Sequence, residues 1–460
     1  MSIRMRDRLL KKLRSKALVV MIITFFGMLF GLLVDILTAA RFGNSQTADA
    51  LIIALSFPRL IDTVSREGTK FSLVPLFIER KEALSSKSFN HFASGIFNLS
   101  LISGITLTIF CEIFASIILI PLAPGLSPEA FSETVFLFRV CAPLIIFAPG
   151  IAVLSVLLNS QKHFYMVAFR NAVAPSFMVA AYGFAWNAEN VAFWVVLSFA
   201  IGFAVFLITL FFDARRILGH QHQWLAIASK EDLVRLWGAG FLPTIGFIFR
   251  QTGNIISRQS LVTLAAPPGG VAIFYFATRL FAAAQNLIGV SIVTTSLPAM
   301  TEHDLAGNRA KLAAAIRKNL ADVLIVTLPA VFLIVFFNEY IINLIYQRGN
   351  FSAEDVKQTS EIFFWLGWGL IFTSLVPVLN SGLYAQRAYN VVFKVMVSMT
   401  FVGVILSWIF LQWKGLAGVA IAISLNGLIA VLTLIYCLSK TGISLTIVPR
   451  KKANANIQKD

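Results

Sequence analysis

Charge is scarce in this 460-residue chain: only 13% of it is Asp, Glu, Lys or Arg. A soluble domain carries about 25%. The deficit excludes an ordinary water-soluble enzyme, and it excludes intrinsic disorder, which needs the opposite composition. Cysteine is nearly missing. Cys111, Cys141 and Cys437 lie singly inside apolar runs, with no CxxC pair and no metal-ligand spacing, so neither a disulfide framework nor a zinc centre is supported. The five histidines fall mostly between the apolar runs, and no Ser/His/Asp set can be assembled from them. His220 and His222 form an HxH without a third ligand and read as solvated loop residues. No GxxxxGK[ST] occurs, which excludes ATP hydrolysis at a P-loop.

What the chain has instead is apolar surface. Apolar residues make up 58% of it, among them 42 phenylalanines that read as lipid-facing or packing groups. Mean hydropathy is +0.80. This is the composition of an all-α polytopic membrane protein. Runs able to cross a hydrocarbon core of about 30 Å need about 20 residues each. Twelve are found, near 17–40, 49–78, 92–121, 132–158, 165–186, 190–213, 234–265, 269–299, 316–347, 357–384, 388–412 and 415–439. The second, seventh and eighth contain charges with Gly or Pro, which makes interruption of those helices plausible. The first run, Ala17 to Ala40, is too long for a signal peptide and is taken as a spanning helix.

Lysine and arginine placement sets the expected orientation. With the N-terminus inside, 25 of these residues fall on the inner side and four (Arg41, Arg348, Lys357 and Lys414) on the outer. Both termini are therefore expected in the cytoplasm. Topology and affinity for anionic headgroups also account for most of the +16 net charge, so no nucleic-acid partner is implied. The expected organisation is a basic tail (1–16), a first lobe of six spans (17–213), a cytoplasmic linker (214–233), a second lobe of six spans (234–439) and a basic tail (440–460). Ile217, Trp224, Leu225 and Leu233 suggest that the linker is a helix lying on the inner surface.

The chain resembles itself at an offset of about 224 residues. Ser72-Leu-Val-Pro75 recurs as Ser296-Leu-Pro298, and Ser127-Pro-Glu129 as Ser352-Ala-Glu354. Gln161 with Phe169-Arg170 recurs as Gln386 with Phe393-Lys394, and Arg59-Leu60 as Arg279-Leu280. Six spans per unit is an even number, so both units insert the same way. Two parallel lobes with a central cavity follow.

Ionisable groups inside spans are expensive and mark cavities. Arg59, Asp62, Arg66 and Lys70 share one helical stripe of the second span. Arg250, Asn254 and Arg258 share another on the seventh, while Arg279 lies in the eighth span and Asp35 in the first. Glu67 adds negative charge, and Arg139 reads as structural. Under the repeat these are equivalent helices, so Arg59, Arg66, Arg250, Arg258 and Arg279 are candidates for holding an anionic substrate. Asp35, Asp62, Glu67 and Asn254 would be their polar partners. Guanidinium suits phosphate because it pairs bidentately. A second reading of the same spacing is open: Asp62 and Arg66 can neutralise each other as i,i+4 partners, and Lys70 and Arg170 can snorkel.

Several segments resemble the MurJ/MviN lipid II flippase family of the multidrug/oligosaccharidyl-lipid/polysaccharide exporter superfamily. They include Phe57-Pro58 with Arg66-Glu-Gly68, Phe71-Ser72 and Val74-Pro75, and Tyr346-Gln-Arg-Gly-Asn-Phe-Ser-Ala-Glu-Asp355. Tyr275-Phe-Ala-Thr-Arg-Leu280 with Gly289-Val290 and Leu297-Pro298, and Phe138-Arg139 with Pro143 and Leu158-Asn-Ser160, complete the set. The resemblance implies a V-shaped fold of two six-helix lobes alternating between inward-open and outward-open forms. The implied cargo is a saccharide on a polyprenyl pyrophosphate, either lipid II or an exopolysaccharide repeat unit. It is moved across the bacterial cytoplasmic membrane without cofactor or metal, driven by an ion gradient or the membrane potential. Envelope-synthesis enzymes are the implied partners.

There are departures from the family pattern. Met28 and Val34 stand where the family's first helix carries arginines, and Asp62-Thr63 replaces an arginine pair. The sequence also ends after the twelfth span, where the family has two further helices. These features tilt the implied cargo toward a polysaccharide repeat unit, within a range that includes lipid II. A cation-coupled drug exporter of the same superfamily is the alternative, although it would favour a carboxylate-lined cavity. A membrane-embedded glycosyltransferase or polymerase would need a larger loop than any outer one here.

Overall fold

The computed structural model describes residues 3–305, 307–443 and 445, with side chains except at 3–18, 70–72, 237–243, 287–299 and 305. The described chain is helical. The elements are α1 (Ile3–Phe42), α2 (Gln46–Ala83), α3 (Ser86–Ile113), α4 (Ala115–Leu119), α5 (Pro128–Cys141), α6 (Leu144–Ser160), α7 (Tyr165–Ala168) and α8 (Arg170–Ala185). They continue as α9 (Val191–Leu218), α10 (Lys230–Ile255), a π-helical turn (Ile256–Ser260), α11 (Leu261–Ala265), α12 (Gly270–Leu305), α13 (Arg309–Tyr346), α14 (Ala353–Ala385) and α15 (Tyr389–Lys440).

These helices supply the twelve expected spans, with breaks where the sequence carries breakers. The fourth span is α5 and α6, bent by 42° beside Pro143. The seventh is α10 and α11, interrupted by the π turn, whereas α2 and α12 are continuous despite their charges. The last two are the arms of α15, which folds back at Lys414 and Gly415, where φ of Gly415 is +56°. Serines start five of the helices. Ser45, Ser85, Ser127, Ser229 and Ser352 each accept a first-turn N–H, and Ser352 forms a reciprocal capping box with Asp355. Pro58, Pro75, Pro149, Pro175, Pro329 and Pro377 sit inside helices. Neighbouring helices make such breaks tolerable in a membrane.

The internal repeat is visible in the backbone. Ser127 and Ser352 cap equivalent helices. Lys162 and Arg387, each one residue past a matched glutamine, are the non-glycine residues with positive φ among those described, at +65° and +57°. Packing repeats too. In the first half α2 rests on α5 and α6, α3 on α6, and α8 on α1; in the second, α12 rests on α14, α13 on α14, and α10 on α15. Parallel halves of six spans place both described chain ends on one membrane face, called the near face below.

The linker differs from expectation. It is not a surface helix. α9 runs on to Leu218 and ends at Gly219, whose φ of +63° suits glycine, and residues 219–229 form a non-helical strap. Side chains of α3 take over its backbone hydrogen bonds. Asn98 Nδ2 donates to the carbonyls of Gln223, Trp224 and Ala226 at 3.0, 2.9 and 3.0 Å, and Ser94 Oγ accepts from Gln223 N–H at 3.0 Å. Gly95 allows the approach, since a Cβ there would lie 2.7 Å from Ala228 N. Trp224, Leu225 and Ile227 stay exposed, as an interfacial anchor requires.

The HxH is not solvated either. His220 is buried with Nδ1 at 3.0 Å from Asn90 Oδ1, and His222 lies among the rings of Phe97, Phe211 and Trp224. Burial, with the adjacent His222 adding to it, pushes the His220 pKa from 6.5 down to about 4. As pH falls, the unfolded chain therefore takes up the proton before the folded one. The stability this confers is whole above about pH 6.5 and is lost progressively toward pH 4. The melting temperature should fall as pH drops from 6.5 toward 5, and His220→Gln should flatten that profile. An unchanged profile would contradict the buried neutral ring.

Candidate functional site

The two halves meet through a polar cluster on the spanning helices α1, α2 and α12. Asp35 of α1 is 4% exposed. Its Oδ2 accepts from Arg279 Nε of α12 at 2.7 Å, and its Oδ1 accepts from Tyr275 OH at 3.0 Å. Tyr275 and Arg279 are i,i+4 neighbours and so share one face of α12. Arg59 of α2 donates from Nη1 to Tyr275 OH at 3.4 Å while its guanidinium lies 5.1 Å from the Phe199 ring centroid. Gly31, one turn before Asp35, leaves room for this arrangement, since a Cβ there would lie 2.9 Å from Arg279 Nη2. Behind the cluster, Thr38 and Tyr182 share a hydrogen bond of 2.8 Å. Asp35 thus holds Arg279 of the other half directly, Tyr275 brings Arg59 in beside them, and almost half of the Arg279 side chain (47%) remains exposed.

On the face away from the chain ends the halves are sealed. Asp49, in the first turn of α2, accepts from Gly269 N–H and Ala272 N–H, both at 2.7 Å. It caps the N-terminus of α12, where orphan N–H groups and the helix dipole favour an anion. Asn350 adds N–H to Ala40 O at 2.8 Å and Nδ2 to Arg41 O at 2.7 Å. Glycine is needed on both sides of this seam. Gly43 and Gly349 have φ of +54° and +56°, and a Cβ at either would come within 2.3 or 2.2 Å of a carbonyl oxygen opposite. At the near face α2 and α10 are joined by Arg80 to Asp232 at 2.8 Å and Arg235 to Glu79 at 2.7 Å.

Of the expected site residues, Asp35, Arg59 and Arg279 come together, and the others are spread out. Asp62 does not pair with Arg66. It is ion-paired with Arg170 of α8, which is 10% exposed and does not snorkel. Both side chains are more than four-fifths buried, and a buried charge pairs with the partner that shares its burial. Arg66 is 3.6 Å from Glu67 with its side chain 37% exposed. Arg250 is exposed beside Phe247, its guanidinium 5.0 Å from the ring centroid. Asn254 donates to Gln251 Oε1 at 3.3 Å on its own helix. Arg258 lies half-buried in the π turn, with no hydrogen-bond or ion-pair partner among the described residues. That turn shifts the helical phase, so the stripe expected on the seventh span does not run straight through it. The Lys70 side chain lies outside the described residues.

Three participants were not anticipated from sequence: Asp49, Tyr275 and Arg170. An acidic residue in a first turn facing Pro267-Pro268-Gly269-Gly270 across the repeat was the available signal for Asp49. For Arg170 the signal was a cation kept at the matching Lys394.

A doubled six-span bundle, with Asp35 holding Arg279 across its halves and Tyr275 bringing Arg59 beside them, defines a polytopic membrane transporter and not an enzyme. The family model described as "Lipid II flippase MurJ" matches residues 38–456, and the chain belongs to that family. Similar curated proteins include the probable lipid II flippase MurJ of Rickettsia prowazekii, 27% identical over 79% of this chain and 71% of its own length. The counterpart in Borreliella burgdorferi is 25% identical over 94% and 84%. Among solved structures, a lipid II flippase MurJ in an inward closed conformation superposes with a TM-score of 0.80 at 22% identity, covering 92% of this chain and 87% of that one. An inward-facing multidrug resistance MATE transporter gives 0.78 at 16% identity, covering 93% and 98%. The structural likenesses establish the shared fold.

Proposed function

We propose that this protein carries lipid II, a saccharide on a polyprenyl pyrophosphate, from the inner to the outer leaflet of the bacterial cytoplasmic membrane. The halves 17–213 and 234–439 are the moving bodies, and both termini are cytoplasmic, as the lysine and arginine bias requires. The observation that carries the reading is Asp35 holding Arg279 while Tyr275 bridges to Arg59. A pyrophosphate arriving from the near face competes with Asp35 for these guanidinium groups, offering more acceptor oxygens and more charge. Cargo binding thereby loosens the link between α1 and α12, and the seal around Asp49 opens as the halves rock. The lipid tail stays in the bilayer.

Membrane potential is a sufficient drive. Moving an anion outward against an inside-negative interior is downhill by about 2.3 kcal/mol per charge per 100 mV. Family membership favours lipid II over the drug-exporter reading. Met28 and Val34, in place of cavity arginines, favour an exopolysaccharide repeat unit as the second reading. Enzymes that build the cargo inside and consume it outside are the expected neighbours. The test is to deplete a host's essential lipid II flippase and supply this gene. Restored growth with lipid II exposed at the outer face is expected. Failure to rescue, together with loss of a surface polysaccharide on deletion from its own host, would overturn lipid II in favour of the repeat unit.

A further inference from the structure

A cavity of about 220 Å³ lies at the near face, enclosed by the end of α2, the start of α3, the end of α6 and the passage from α9 into the strap. Its polar lining is Lys81, Ser86, Asn90, Gln161 and His220, with no carboxylate among them. Lys81, Ser86 and Gly219 are exposed, so the cavity is open to solvent, while His220 behind them is 5% exposed.

Hydrogen bonds within the wall use up its amide acceptors and leave its donors over. Lys81 Nζ donates to Gln161 Oε1. An ammonium can only donate, so this contact fixes the amide with its NH2 group unspent. Asn90 Oδ1 accepts from His220 Nδ1 at 3.0 Å, which leaves the Asn90 NH2 group unspent as well. Lys81 keeps further N–H bonds to give, and it has no acidic partner among the described residues, whereas Arg80 beside it is paired with Asp232 and Glu231. An open cavity walled by an ammonium, two amide NH2 groups and a hydroxyl, without a carboxylate, is complementary to an anion rich in acceptor oxygens.

Size and place narrow the anion. The volume is below the roughly 300–1,000 Å³ of pockets for drug-sized ligands, which suits a phosphate with a short substituent better than a nucleotide. Trp224 and Leu225, on the strap that leaves this cavity, are 70% and 95% exposed, as side chains at headgroup level are. Arg215 and Arg216, exposed in the last turn of α9, draw anionic lipid toward the same corner.

We propose that this cavity is a phosphate site, which takes the headgroup phosphate of an anionic lipid from the leaflet at the near face. Lys81 supplies the counter-charge, and Asn90 and Gln161 supply hydrogen bonds. Lys81 follows Arg59 by 22 residues of α2, about 30 Å along the helix, so the occupant is separate from any anion bound at Arg59 and Arg279.

The test is equilibrium titration of the full protein, held in nanodiscs of zwitterionic phosphatidylcholine, with short-chain phosphatidylglycerol and separately with inorganic phosphate. Wild type should show one saturable site for the lipid. Lys81→Gln, altered at an exposed side chain that the fold does not depend on, should weaken binding at least tenfold. Asn90→Leu leaves the net charge unchanged and should weaken it too. Lys230→Gln, exposed on the same face but outside the cavity, should bind as wild type does. Inorganic phosphate bound as tightly as the lipid, with the same dependence on Lys81, would support the phosphate site with free phosphate as its occupant. No saturable binding of either probe, undiminished binding by Lys81→Gln, or equal weakening by Lys81→Gln and Lys230→Gln would overturn it.

Discussion

Arg279→Ala should abolish transport while the protein still reaches the membrane. Arg279 is the only cation in hydrogen-bond contact with Asp35 among the described residues, and Asp35 is 4% exposed. Removing one partner of a buried pair costs about 3–5 kcal/mol. Solvent at the exposed half of Arg279 brings the loss to the lower end of that range or below it. A fall in melting temperature is therefore expected beside the loss of function, and the two effects are separable. Asp35→Asn/Arg279→Gln leaves no unpaired charge and should recover most of the stability, yet it should remain inactive for want of a guanidinium. Arg279→Lys should restore transport only in part, because a lysine cannot make the bidentate contact. Full activity of Arg279→Ala in a vesicle assay would remove this residue from the substrate path.

Asp49→Ala should unseal the face away from the chain ends. The carboxylate makes two hydrogen bonds of 2.7 Å to the N-terminus of α12, on the other half of the molecule. Hydrogen bonds to a charged group are worth about 1.5–3 kcal/mol each. Losing both therefore shifts the balance between closed and open forms of that face by about 3 kcal/mol or more, which is over a hundredfold in population. Val271, 3% exposed beside this contact, reports the change. A cysteine placed there, in a background lacking Cys437, should resist a membrane-impermeant thiol reagent added on that side and react readily once Asp49 is alanine. Equal protection in both would show that the seal does not depend on this carboxylate.

The spans were legible in sequence because hydrocarbon imposes a length and a composition that few soluble helices share. The doubling was legible because serine caps and turn residues repeat in order, and the left-handed Lys162 and Arg387 bear it out in the backbone. That Asp35 and Arg279 would need partners was legible because charge inside a span must be compensated, and the two meet in the structure. What could not be read was which charge compensates which. Asp62 has Arg66 one turn away in sequence, yet it pairs with Arg170 from another helix, because partners are chosen by shared burial. The strap was misjudged because its apolar residues suit a surface helix equally well, and it is the contacts from α3, with Asn98 and Ser94 binding its backbone and Gly95 allowing the close approach, that keep it non-helical. The histidines were misjudged with it, since their burial depends on where the strap lies.

The most direct test of the account is transbilayer movement in vesicles containing only this protein. A polyprenyl-pyrophosphoryl disaccharide would be placed in the inner leaflet, and its arrival outside read by an impermeant reagent. With an inside-negative potential and the wild-type chain, the labelled fraction should rise well above that of protein-free vesicles. It should return to the protein-free level with Asp35→Asn/Arg279→Gln. Movement equal in the two proteins, or no movement with wild type, would contradict a flippase working through this cluster.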